Sequence, residues 1–183
     1  MKILKIIAKD LLSILDRIIC NFPTTTIFNS FRKFYFENFH NFKKIDRIHA
    51  GIKIPCKKNI TCGENLICAN DVEINSCDSL GIYIGKNVVF GPNVYIRAAN
   101  HDPENPELPL VKKKHIYKKI DYKQKEYSIV IEDNVWVGAK TIILTGAFIK
   151  NSSVIGAGSI VNKDNYPEKS LIAGNPAKVI KNL

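Results

Sequence analysis

The sequence has no run of 18 apolar residues, so nothing in it is expected to cross a bilayer as a helix. Its opening stretch, Met1–Cys20, is interrupted by Lys5, Lys9, Asp10, Asp16 and Arg17. That pattern fits neither a signal peptide nor a stop-transfer segment, and the expectation is a cytoplasmic protein. Zinc-finger, RNA-recognition and P-loop patterns are absent. Five cysteines contain no C-x-x-C pair, which leaves a zinc site without support, and no metal is expected. Tryptophan occurs once, at position 136, and histidine only at 40, 49, 101 and 115.

What is present suits one domain of ordinary size. The chain has 183 residues, 45% of them apolar, enough to bury a core and offset the entropy of ordering. Its formal charge of +10 would ordinarily raise nucleic acid or an anionic membrane as a partner. The excess is local, however. Residues 1–58 hold 12 basic and 4 acidic side chains, and residues 111–127 hold 7 and 2. The remainder holds 8 and 11, a net of −3. A nucleic-acid platform would carry basic and aromatic residues on its folded face, so no nucleic-acid partner is expected.

A six-residue period organises that remainder. Positions 131, 137, 143, 149, 155 and 161 read Ile, Val, Ile, Ile, Ile, Val. Ile84, Phe90 and Ile96 keep the step, as do Cys56, Cys62, Cys68 and Ile74. Four residues beyond these stand small or β-branched side chains such as Val72, Val88, Val94, Val135 and Thr141. Three beyond, ten of thirteen positions are Asn, Asp, Gly or Ser (Asn59, Asn65, Asp71, Asn87, Asn93, Asn134, Gly146, Ser152, Gly158 and Asp164). Six residues are too few for a helical hairpin and do not form a heptad. They suit a strand of about three residues and a sharp bend, with the polar or glycine residue accepting positive φ. Coils of such strands stack about 4.8 Å apart into a parallel β solenoid filled by the apolar columns. On this reading Cys56, Cys62 and Cys68 stack inward as small apolar residues.

The repeat breaks twice. Ile74 to Ile84 spans ten residues instead of twelve, through Asn75-Ser76-Cys77-Asp78-Ser79-Leu80-Gly81. Between Ile96 and Ile131 a segment from Asp102 to about Ile129 leaves the solenoid, beginning with three prolines and continuing into the basic stretch. Loops this long usually serve function. His101 stands at its root, while His40, His49 and His115 read as solvated surface residues.

Further blocks accompany the repeat: Ala99-Asn100-His101-Asp102, Ile131-Glu132-Asp133-Asn134-Val135-Trp136-Val137-Gly138-Ala139, Val154-Ile155-Gly156-Ala157-Gly158 running on to Val161-Asn162-Lys163-Asp164, and Ala173-Gly174-Asn175-Pro176-Ala177-Lys178-Val179-Ile180. Over roughly residues 50–181 the chain resembles the hexapeptide-repeat acyltransferases, in the branch of maltose, galactoside and polysaccharide O-acetyltransferases. The resemblance implies a left-handed parallel β-helix, mainly β, a homotrimer, and acetyl-CoA as acyl donor. It also implies a direct ternary-complex transfer in which His101 is the general base. An imidazole titrating near neutrality suits removal of a hydroxyl proton, and no serine or cysteine nucleophile motif supports a covalent route.

The family's oxyanion donor, a backbone N–H, maps to Ala139. Gly138 beside it lets the pantetheine arm approach or simply makes a tight corner. Ala157, Asn162, Lys163, Lys178 and Lys181 match coenzyme A contacts of the family, the last two replacing arginines and keeping charge without the bidentate fork. Asn75, Asp78, Asn100 and Asp102 are the candidate acceptor contacts, each with a turn role as the alternative. Trp136 should face outward and line a substrate cleft or a subunit contact.

The expected organisation is an N-terminal helical segment at 1–49 and a β-helix at 50–183. Ile3, Leu4, Ile7, Leu11, Ile14, Leu15 and Ile18 fall on one helical face, with Lys2, Lys5, Lys9, Ser13 and Asp16 largely on the other. Two readings stand: the helices cap the solenoid's open end, or residues 1–20 anchor the protein peripherally on the inner face of an anionic membrane. The maltose-type N-terminal domain is not recognisable. The leading functional reading is O-acetylation of a sugar in a surface polysaccharide or its precursor. Against it stand N-acetylation of an amino-sugar or a xenobiotic, and a noncatalytic β-helix scaffold.

Overall fold

The computed structural model describes residues 2–40, 42–104, 106–162 and 165–183. Two helices, α1 (Lys2–Asn21) and α2 (Thr26–Phe39), precede the solenoid. Pro23 separates them, and the Thr25 hydroxyl caps α2 by accepting from the Phe28 N–H at 3.3 Å.

The solenoid then turns through three faces. The first holds β1 (Arg47–Ile48), β3 (Ile67–Cys68), β6 (Val89–Phe90), β13 (Trp136–Val137), β16 (Val154–Ile155), β18 (Ser170–Gly174) and β19 (Ala177–Asn182). The second holds β4 (Glu73–Asn75), β7 (Tyr95–Arg97), β14 (Ile142–Leu144) and β17 (Ile160–Val161). The third holds β2 (Ile60–Cys62), β5 (Ile82–Ile84), β12 (Ile129–Ile131) and β15 (Phe148–Ile149). Stacked strands pair in parallel, for example Ile142 and Ile143 between Tyr95 and Ile96 below and Ile160 and Val161 above. Among the described strands of these three faces only β19 turns back, antiparallel to β18.

The columns do what the period requires. Ile84, Phe90, Ile96, Ile131, Val137, Ile143, Ile149 and Val161 are all fully buried, as are Val72, Val88, Val94, Thr141, Ser153 and Ser159. The bends carry positive φ at Asn65, Asp71, Asn87, Asn93, Asn134, Gly146, Ser152 and Gly158. Asn59 instead ends a 3-10 turn (Lys57–Asn59), and Asp164 lies outside the described residues.

That 3-10 turn corrects the cysteine reading. Cys56 sits at φ +57, leaves the column, and forms a disulfide with Cys77, their Cα atoms 5.3 Å apart. The shortened corner brings Cys77 there, and the Ser76 hydroxyl donates to the Cys56 carbonyl at 2.8 Å. Cys68 does face the interior, and burial pushes the Cys62 thiol up to about 12.

The excursion starts earlier than expected, since β8 (Asn100–His101) already pairs with β9 (His115–Ile116). It continues through a hairpin, β10 (Ile120–Tyr122) and β11 (Lys125–Tyr127). The hairpin lies against the third face, where Ile120, Tyr122 and Tyr127 join Tyr83, Val130 and Phe148. Its charge is largely engaged. Lys119 pairs with Glu126, the Lys123 ammonium donates to the Tyr83 hydroxyl at 2.8 Å, and Lys125 lies over the Tyr127 ring.

The helices share the solenoid's core, with Ile19, Tyr35, Phe36 and Phe42 in one buried cluster that continues to Ala177. Arg32 is fully buried and donates to the carbonyls of Ile48 in β1 and of Phe22 and Pro23 in the connection between the helices, satisfying acceptors of both. Beside it, the Asp16 carboxylate accepts from the Tyr35 hydroxyl at 2.7 Å and from the Lys57 ammonium at 2.5 Å, with His40 Nε2 at 2.9 Å. His40 is thus a half-buried, hydrogen-bonded packing residue and not a solvated one.

Burial pushes the Asp16 carboxyl up, but hydrogen bonds from Lys57 and Tyr35 and the neighbouring charges outweigh it and leave it below its ordinary value. His40 is also lowered, by burial first and by Lys57 second. A group lowered on folding contributes stability that is whole above its unfolded value and is lost as pH falls toward its folded one. The melting temperature is therefore expected to fall below about pH 6.5 as His40 resists protonation, and again near the carboxylate range. Thermal melts at stepped pH check this, and His40→Gln should flatten the first part of the fall.

Candidate active site

The corner between the second and third faces collects most of the chemistry. On the lower coil it is the shortened turn, where the Asn75 Oδ1 accepts from the Cys77 N–H at 3.1 Å and Asp78 adopts φ +57. On the next coil the chain leaves β7, and the Arg97 guanidinium donates through Nε to the Ala99 carbonyl at 2.9 Å, steadying the approach to β8. The register of β8 and β9 sets His101 directly opposite His115. Their rings stand 4.5 Å apart between centroids, tilted by 39°. His115 Nδ1 in turn lies 3.4 Å from Asp78 Oδ2.

His115 is therefore part of the candidate site and not a solvated loop residue. The six-residue period carries no information on the path of an excursion, so only the β8–β9 ladder could reveal it. Asp102 contributes through its backbone N–H, which donates to the Lys114 carbonyl at 3.2 Å, while its carboxylate accepts from the Glu104 N–H at 2.9 Å. Asn100 is half-buried and His101 exposed.

Other candidates lie elsewhere on the solenoid. Trp136 projects outward from the first face and is 57% exposed, between Val89 and Val154 of the adjacent strands. Gly138, Ala139 and Ala157 form the corner between the first and second faces. A Cβ on Gly138 would meet the Ala157 nitrogen at 2.6 Å and the Ile155 carbonyl oxygen at 2.8 Å. Coil stacking is thus sufficient reason for that glycine. Ala157 is exposed at the same corner one coil on, where the Gly158 N–H donates to the Ala139 carbonyl at 2.9 Å.

Lys178 and Lys181 project from the exposed strand β19, opposite Ala173 and Leu171. Asn162 follows β17 on the His101 side, two coils further on. Its Oδ1 is buried and has no hydrogen-bond partner among the described residues, which suits an acceptor for an incoming amide N–H. Lys163 lies outside the described residues.

The solenoid fold is that of known acetyltransferases. No protein-family model matches the chain. A galactoside O-acetyltransferase of Lactococcus lactis is 37% identical over 126 residues, 69% of this chain and 54% of that protein. The galactoside O-acetyltransferase of Escherichia coli is 36% identical over 125 residues, 68% and 55% of the two chains. The crystal structure of a maltose O-acetyltransferase from Clostridium difficile superposes with a TM-score of 0.70 at 29% identity, covering 95% of this chain and 85% of that one.

The chain belongs to the hexapeptide-repeat acetyltransferase family. It spans about half the length of the curated relatives named here. The superposition on the maltose enzyme takes in 95% of this chain, more than the solenoid alone, so the likeness extends into the helices that the sequence did not match to a maltose-type domain. A hexapeptide-repeat acetyltransferase of Vibrio cholerae, solved with acetyl coenzyme A, superposes with a TM-score of 0.57 at 27% identity over 72% of this chain and 64% of that one.

Proposed function

We propose that the chain transfers acetyl from acetyl coenzyme A to a hydroxyl of a sugar in a surface polysaccharide or its precursor. The observation that carries this reading is His101, held by a two-strand ladder at an exposed corner with His115 and Asp78 behind it. Galactoside O-acetyltransferases among the relatives support a sugar acceptor. A relative 33% identical, a putative lipopolysaccharide O-acetyltransferase of Escherichia coli, supports a surface glycan. The Vibrio cholerae complex supports acetyl coenzyme A as donor.

In the proposed step His101 takes the proton of the acceptor hydroxyl as its oxygen attacks the thioester carbonyl. The tetrahedral intermediate collapses with cleavage of the C–S bond, and the departing thiolate receives that proton from His101. The Ala139 N–H is the proposed oxyanion donor. Asn162 would accept from a pantetheine amide, and Lys178 and Lys181 would offer charge to the phosphates. Asn75, Asp78, Asn100, Asp102 and Trp136 are the proposed acceptor contacts.

Within one chain, His101 and Ala139 lie at opposite edges of the second face. A homotrimer in which the corner of one solenoid meets the neighbour's cofactor edge would complete the site. The proposed location is the cytoplasm, where the activated donor is available.

Thiol release from acetyl coenzyme A, followed against a panel of free and lipid-linked sugars, tests the reading. Acceptor-dependent release is expected; donor binding without it for any acceptor would favour a noncatalytic scaffold. His115 is assigned to positioning, through its contacts with His101 and Asp78. His115→Ala is expected to lower kcat about tenfold while leaving KM for acetyl coenzyme A unchanged. A parallel rise in KM would point instead to collapse of the excursion.

A further inference from the structure

Helix α1 is docked the wrong way round for a capping helix. The side it turns to the protein carries Asp16, hydrogen-bonded to Tyr35 and Lys57, and near its end Ile19 and Cys20. Its apolar stripe points away. Leu11, Ile14, Leu15 and Ile18, spaced i, i+3, i+4 and i+7, are 60, 55, 42 and 51% exposed. Ile3, Leu4 and Ile7 continue the same spacing toward the N-terminus in sequence. On α2, Ile27, Phe31 and Phe34 form a second exposed stripe, spaced i, i+4 and i+7. Monomeric surfaces rarely leave so much apolar area uncovered unless something binds there.

Charge selects the occupant. Residues 1–58 hold 12 basic and 4 acidic side chains. Two of those carboxylates are engaged internally, Asp16 as above and Glu37 by the Ile45 N–H. The same segment of a second copy would set like charge against like, whereas a sheet of anionic headgroups complements it. No helix among the described residues is long and apolar enough to cross a membrane. The fitting geometry is a helix lying in the interface, stripe inward and the exposed Arg17 beside it toward the headgroups.

We propose that α1, with the exposed stripe of α2, seats this protein on an anionic lipid surface, the Asp16–Tyr35–Lys57 contacts holding the helix with its apolar face outward. Such a surface would carry a lipid-linked acceptor to the site, but the proposal does not depend on the catalytic reading, and its test needs no turnover.

The full chain is floated with phosphatidylcholine vesicles and with mixed phosphatidylglycerol–phosphatidylcholine vesicles. Binding to the mixed vesicles only is expected, weakening as salt rises. Leu11→Asn/Ile14→Asn/Leu15→Asn should weaken it by at least about tenfold. Arg17→Gln, at an exposed position flanking the stripe, should weaken it by about fivefold. Thermal melting identical to the parent chain would show the asparagine variant folded. Absence of binding to the anionic vesicles, or equal binding by the asparagine variant, overturns the proposal. So does loss of oligomer mass in that variant without any change in vesicle binding, which would make a second copy the occupant.

Discussion

His101→Ala is expected to lower acceptor-dependent thiol release by about a thousandfold, the range for loss of a positioned general base. The fold should not change with it. His101 is exposed, its backbone pairing with His115 survives the substitution, and surface changes of this kind fall within about 0.5 kcal/mol. Binding of acetyl coenzyme A should persist, because Ala139 lies at the opposite edge of the second face, Lys178 and Lys181 lie on β19, and Asn162 lies two coils away from His101. Activity and donor binding, measured on the same preparation, therefore separate base catalysis from loss of structure. Equal turnover by the parent and the variant with every acceptor would refute the assignment. A residual rate of the same size in His115→Ala would move the catalytic weight from one imidazole to the pair.

Gly85→Ala is expected to damage the solenoid strongly, costing about 3 kcal/mol. At this corner successive coils touch backbone to backbone. A Cβ on Gly85 would lie 2.6 Å from the Glu132 carbonyl carbon and 2.7 Å from the Asp133 nitrogen. Neither coil can yield, since the Gly85 N–H donates to the Ile131 carbonyl and the Lys86 N–H to the Asp133 carboxylate. Gly158 offers the contrast. Nothing lies within 4 Å of a Cβ there, but φ is +70, so alanine should cost only the left-handed penalty of about 1 kcal/mol. Urea midpoints should fall in the order parent, Gly158→Ala, Gly85→Ala, and the reverse order would refute the stacking argument.

The solenoid was legible because its code is local. A β-branched side chain turned inward and an Asn or Gly at positive φ each act within six residues, and stacking only repeats them. Ile131 to Val161 therefore announced their burial, and Asn65 or Asn134 their bends. His101 could be singled out because it stands where that code stops.

Other relations join residues that the period does not connect. Cys56 meets Cys77 only because one corner is two residues short, a consequence of how two coils superpose. His115 reaches His101 only through antiparallel pairing inside the excursion. The amphipathic period of α1 was plain in the sequence and defined two faces, one apolar and one polar. Which face docks depended on a hydrogen-bonded carboxylate, Asp16, finding Tyr35 from α2 and Lys57 from the first coil. By itself the sequence determined the repeating coil, its inward columns and its bends, since those follow from near-neighbour sterics and burial. The tertiary structure alone decided which imidazole stands behind His101 and which face of α1 is left to the surroundings, because both depend on contacts between segments distant along the chain.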